Sequence, residues 1–173
     1  MKSGPSYLEV IIQRATDAVR LHKAVKNGSS QKIESLLQAG VDPNSRNEID
    51  VTPLHYAAEN GRADIASLLV RYGADPNARD SWQTTPLSRA AHNGHLVVIK
   101  YLIAQGADTM SLDSDWVTPL HWAVFSENNE LVKYLVANGA DIQAKDKDGK
   151  TPLDWAVNIV VWKVIWKLSY RSE

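Results

Sequence analysis

Residues 52–61 read Thr52-Pro53-Leu54-His55-Tyr56-Ala57-Ala58-Glu59-Asn60-Gly61, and the fold follows from them. Thr52 suits a helix N-cap, its hydroxyl accepting from an orphan backbone N–H. Pro53 then sits at the first helical position, where a missing N–H costs nothing. Leu54, Ala57 and Ala58 form an apolar stripe, and the alanines let a neighbouring helix approach closely. Asn60-Gly61 stops the helix, because Gly61 adopts positive φ without strain. Outward from there, Ile65, Leu68 and Leu69 fall at helical spacing and predict a second helix from about Ala63 to Tyr72. Gly73 closes that helix, and residues 74–84 form a turn-rich connector. Neither short helix buries its apolar face alone, so the unit needs neighbours.

Those neighbours are written in the chain. Thr-Pro-Leu recurs at Thr85-Pro86-Leu87, Thr118-Pro119-Leu120 and Thr151-Pro152-Leu153, always 33 residues apart. Gly-Ala-Asp keeps the same period at 73–75, 106–108 and 139–141. A weaker first copy shows Leu21-His22, Ala24, Asn27-Gly28 and Gly40-Val41-Asp42. A fixed period of this length marks a repeat solenoid.

The unit resembles the ankyrin repeat. The matching residues are Thr52-Pro53-Leu54-His55, Ala57-Ala58, Gly61 and Gly73-Ala74-Asp75-Pro76-Asn77-Ala78, and the resemblance covers about residues 18–158. It implies an all-α solenoid of stacked helix-turn-helix units with projecting β-hairpin loops, or fingers. It also implies that partners dock on the finger tips and on the concave, inner helices. Units are expected at 18–46, 47–79, 80–112, 113–145 and 146–173, preceded by an N-terminal extra helix within 1–17. Ser6 followed by Glu9 reads as a capping box for that helix over Tyr7 to Arg14. Unit one lacks Thr-Pro, carrying Val19-Arg20 instead, as expected of a more polar N-terminal cap. Unit five departs in the other direction. Its inter-helix glycine slot is Val160, within an apolar run from Ile159 to Leu168, where a terminal unit should be polar.

Composition narrows the function. The 173 residues carry a net charge of -1, which gives no long-range field for nucleic acid. There is no cysteine, so disulfides, thiolate zinc sites and a cysteine nucleophile are excluded. Residues 1–20 lack the pattern of a signal peptide, and Ile159–Ile165 is too short to span a bilayer. A reducing intracellular, cytoplasmic setting is expected. No cofactor is expected, because no Gly-rich phosphate motif, paired carboxylates or nucleophile–base pair is present. His22, His55 and His121 occupy a slot where the ring bridges adjacent connectors in this family. His92 and His95 lack converging ligands for a metal. Ser88 and Asp154 replace the slot histidine in units three and five and are read as scaffold drift.

Function should lie where the units differ. Six Trp and six Tyr stand beside one Phe, and those two types serve half-wet surfaces. Expected partner-binding residues are Ile49, Trp82 and Trp116 on fingers, with Tyr56, Arg89, Trp122 and Phe125 on inner helices. Tyr, Trp and Arg dominate binding hot spots. Asp50, Gln83 and Trp116 stand where the family pattern places glycine, so the standard tip conformation is not assured there. The leading expectation is a non-enzymatic module that binds another protein. A second is self-association, as a homodimer or larger scaffold, through Trp162, Val164, Ile165 and Trp166. A basic stripe of Lys163, Lys167 and Arg171 beside Trp162, Trp166 and Tyr170 raises a membrane-surface reading, which ranks below a cap or dimer contact. A further alternative is an engineered binder on an ankyrin library scaffold. Such libraries keep a uniform framework, whereas this one varies at Val160, Glu127 and three finger tips, which favours a natural origin.

Overall fold

The computed structural model describes residues 6–156 and 159–169. They form helices α1 (Tyr7–Asn27), α2 (Ser30–Gln38), α3 (Pro53–Glu59), α4 (Ala63–Arg71), α5 (Pro86–His92), α6 (Leu96–Ala104), α7 (Pro119–Phe125), α8 (Asn129–Ala137) and α9 (Ile159–Ser169), with a 3-10 turn at Pro152–Trp155 before α9. Each unit contributes an inner and an outer helix. The inner helices α1, α3, α5, α7 and the 3-10 turn pack in sequence along one layer. The outer helices stack behind them.

The 33-residue register is the register of the core. Leu21, Leu54, Leu87 and Leu120 are all fully buried, one per inner helix. Ile33, Ala66, Ile99, Val132 and Ile165 repeat the pattern on the outer helices. Paired alanines at 57–58 and 90–91 have no exposed surface, as close helix contact requires. Each buried Leu contributes about 1.5–3 kcal/mol relative to exposure.

The N-terminal boundary differs from expectation. The extra helix and the first helix of unit one are a single 21-residue helix, so the division at residue 17 falls inside α1. Val19-Arg20 explains it. Without a Thr-Pro pair nothing caps a new helix there. The Ser6–Glu9 capping box is present at the true start, with the Glu9 carboxylate 2.6 Å from Ser6 N.

Unit five differs too. Its inner element is one 3-10 turn, and α9 starts at Ile159, so the Val160 slot lies within a helix. Among the described residues the fingers contain no β-strand. Each is a tight turn closed by paired backbone bonds, such as Asp80 N to Thr84 O at 3.1 Å and Gln83 N to Asp80 O at 2.8 Å.

Candidate protein-binding surface

The fingers are built by one device repeated four times. Asn47, Asp80, Asp113 and Asp146 each turn a side-chain oxygen onto two backbone N–H groups of their own finger. For Asp80 these are Trp82 N and Thr84 N, both at 2.9 Å. Asn47, Asp113 and Asp146 do the same at 2.8–3.1 Å. The tips keep one conformation despite the lost glycines. Asp50, Gln83 and Trp116 adopt φ of 57°, 59° and 61°, beside 75° at Gly149. Non-glycine residues hold this left-handed region at a cost of about 1–2 kcal/mol each. The Asx bonds on either side over-determine it.

Fingers also join edge to edge. Ser81 N donates to Ile49 O at 3.1 Å, Ser114 N to Trp82 O at 2.9 Å, and Lys147 N to Asp115 O at 3.0 Å. Arg46 and Arg79 reach across to the carbonyls of Arg79 and Leu112, both at 2.7 Å.

The inner-helix slot at 56, 89, 122 and 155 has a role the sequence reading missed. Three of its four residues latch the finger base nine positions earlier. Asn47 Nδ2 donates to Tyr56 Oη at 3.0 Å. Arg89 donates to the Asp80 carboxylate at 2.7 Å and to Glu59 at 3.1 Å. Trp155 Nε1 donates to Asp146 Oδ2 at 2.8 Å. The Asp80 side chain is fully buried and Arg89 is 20% exposed, so this pair is structural first. The signal was present in the sequence as a nine-residue offset between complementary polar groups.

Trp122 is the exception. Among the described residues its indole N–H makes no bond to Asp113. Its ring stacks on His92 at 4.8 Å and 6°, and meets Trp155 edge-on at 5.4 Å and Phe125 at 6.1 Å. Phe125 is 49% exposed and Trp116 on the third finger 55% exposed. Trp82 and Ile49 are exposed as well. A groove of about 330 Å³ opens between Trp122, Trp155 and the fingers, with Asp115, Lys147 and Asp148 on its rim. The structure thus joins Trp122 and Phe125 with two residues not anticipated as site members, His92 and Trp155. It places Tyr56 and Ile49 elsewhere, in a separate groove beside α1.

His22, His55 and His121 each reach a backbone carbonyl of the following connector. Nδ1 of His55 accepts from Thr52 N at 3.1 Å, so Nε2 carries the proton and donates to Thr84 O at 2.9 Å. His121 repeats this with Thr118 and Lys150 O. Burial disfavours the charged rings. The His22 and His121 pKa values lie below the usual range, and that of His55 is pushed down to about 4. His22 Nε2 lies 2.9 Å from Ser45 O, but Nδ1 has no partner, since Val19 stands where Thr52 and Thr118 stand in their units. Among the described residues no group of His, Asp or Glu is arranged to hold a metal.

The C-terminal residues divide. Ile165 is 1% exposed and belongs to the core, so it is removed from the proposed self-association surface. Its register position explains this, because it repeats Ile99 and Val132. Val164 is half-buried against the same core. Trp162 and Trp166 face outward, 38% and 44% exposed, and stack at 6.2 Å and 14°. The basic stripe proposed with them is described only at Lys163 and Lys167, and Tyr170 and Arg171 lie outside the described residues. Among the described residues no helix is long and apolar enough to cross a membrane.

Comparison with known proteins agrees with this architecture. A family model described as ankyrin repeats (3 copies) matches residues 21–113 and 105–162. A comparison with curated proteins returns no match. The shared 33-residue register of motif, core and fingers, matched over most of its length, makes this chain a member of the ankyrin-repeat family.

Proposed function

We propose that the chain is a non-enzymatic module that binds a partner protein across its finger tips and inner helices, centred on Trp116, Trp122 and Phe125. Ankyrin repeats are in general protein–protein interaction modules. The observation that carries the proposal is an aromatic cluster in which exposed His92 and Phe125 meet half-buried Trp122 and Trp155, with exposed Trp116 on the third finger. Among the described residues Trp122 and Phe125 make no latch to a finger base, whereas the slot of Trp122 holds latching Tyr56, Arg89 and Trp155 in units two, three and five. Exposed contiguous aromatic surface marks an interaction site, and Trp is the leading hot-spot residue. Arg89 and Tyr56 are reassigned as latches of their own fingers.

Selection from a displayed peptide library tests the reading. Binders raised on the wild type should lose at least tenfold affinity for a Trp116→Ala/Phe125→Ala chain whose melting temperature is unchanged. Binders indifferent to that pair would remove the aromatic cluster as the site. A second reading, self-association through α9, rests on the exposed Trp162–Trp166 stack. A constant monomer mass across a dilution series by light scattering would refute it.

A further inference from the structure

The finger array has a free edge, and its position says what fits there. In fingers two, three and four the N–H of Ser81, Ser114 and Lys147 donates to the preceding finger at 2.9–3.1 Å. The equivalent group in finger one is Glu48 N–H. No finger precedes it, because the uncapped Val19-Arg20 lets α1 run on as helix through that place in the array. Glu48 is exposed, and among the described residues its N–H has no acceptor.

That donor borders a groove of about 680 Å³ between α1 and finger one. Its apolar lining includes Val19, Ile49 and Tyr56, with Val19 68% exposed. Lys23 and Lys26 stand on the α1 wall one turn apart. Among the described residues neither lysine has a carboxylate in ion-pair range. Lys26 Nζ lies 4.1 Å from the Tyr56 ring centroid. His22, whose buried Nδ1 lacks a partner, also lines the groove. The rim carboxylate is Glu48, on the finger side.

We propose that this groove captures an extended acidic segment of a partner protein by edge addition to finger one. The segment's backbone carbonyl accepts from Glu48 N–H, repeating the finger-to-finger bond. Adding a strand to an unpaired edge gains main-chain bonds, while side-chain pockets set specificity. An aliphatic side chain rests on Val19, Ile49 and Tyr56, and carboxylates two residues apart meet Lys23 and Lys26. Glu48 repels a carboxylate on its own side, which fixes the acidic side chains toward α1. This site is separate from the aromatic cluster and does not rest on it.

The probe is a fluorescein-labelled octapeptide of alternating Asp and Val, titrated into the full chain at low salt. Binding should weaken by about tenfold or more for Lys23→Glu/Lys26→Glu, as expected for loss and reversal of two charge contacts. It should be unchanged for Trp122→Ala, and a Lys/Val octapeptide should not bind. In nitrogen-15 NMR the Glu48 amide should move downfield and become protected from exchange. No binding at millimolar peptide overturns the proposal. So does saturable binding with Glu48 unmoved, or with the shifts centred on Trp116 and Trp122, which would place the peptide on the aromatic face. Concentration-dependent broadening of Glu48 without peptide would make a second copy the occupant and overturn it equally.

Discussion

Arg89→Ala should destabilise the fold rather than simply weaken partner binding. Arg89 holds the Asp80 carboxylate at 2.7 Å, and the Asp80 side chain has no exposed surface. Removing one partner of a buried pair typically costs about 3–5 kcal/mol, because the remaining charge is left uncompensated. Two features place this case at the lower end. Asp80 still accepts from Trp82 N and Thr84 N. Arg89 Nε is itself buried without a partner, so the wild-type arrangement is not fully satisfied. The expected loss is about 2–3 kcal/mol. The Glu59 contact adds little, being partly exposed. Unit two supplies the control, since Asn47 and Tyr56 make the same latch with neutral groups at 3.0 Å. Transplanting them as Asp80→Asn/Arg89→Tyr should recover more than half of the loss. Urea unfolding followed by circular dichroism measures all three chains. A loss below about 1 kcal/mol for Arg89→Ala would reduce the pair to an ordinary surface contact. A double variant no better than the single would refute the latch.

Other substitutions and conditions test the remaining steps. Stability should fall with acidity between pH 6.5 and 4, because the unfolded chain protonates His55 near 6.5 while the folded one holds it neutral down to about 4. That difference is worth up to about 3 kcal/mol, fully present above pH 6.5 and lost below 4. Urea midpoints at pH 7, 5.5 and 4 should show it, and His55→Ser, which copies Ser88 of unit three, should flatten the dependence. Glu127→Gly should stabilise by about 1 kcal/mol and raise the melting temperature by about 2–4 °C, since Glu127 sits at φ 55° in a slot that is glycine at Gly61 and Gly94. Calorimetry decides, and a lower melting temperature would contradict the strain argument. Ile165→Ala should cost about 2–4 kcal/mol and Trp166→Ala less than about 1. Equal losses would contradict the division of α9 into a core face and an outer face.

What the sequence disclosed was whatever the 33-residue period repeats. Thr52, Thr85, Thr118 and Thr151 are the N-caps, and the leucine two residues after the first three lies at the centre of the core. The histidine bridges followed from the same slot. The failures came where the period breaks or where partners lie on different elements. The uninterrupted α1 depends on what Val19-Arg20 omits, and an omission does not say what replaces it. In α9 eight of eleven positions are apolar, and Lys163 and Lys167 mark an outer side without singling out Ile165 among the rest. Counting back 33 residues from Ile165 to Val132 and Ile99 would have done so. The latches at 47/56, 80/89 and 146/155 join a loop to a helix, and propensity arguments read each element separately. Trp122 and Phe125 were legible as departures from neighbouring units. His92 and Trp155 were not, because their part in the cluster depends on ring geometry.

The most direct test of the binding account is site-specific photo-crosslinking in cells. A photoreactive phenylalanine analogue replaces Trp116 in one chain, Phe125 in a second and Val97, exposed on the outer helix α6, in a third. Light should produce the same discrete protein adduct from positions 116 and 125 and none from 97. Adducts of equal yield from position 97, or none from 116 and 125 in a folded chain, would contradict the claim that the aromatic finger side is the binding surface.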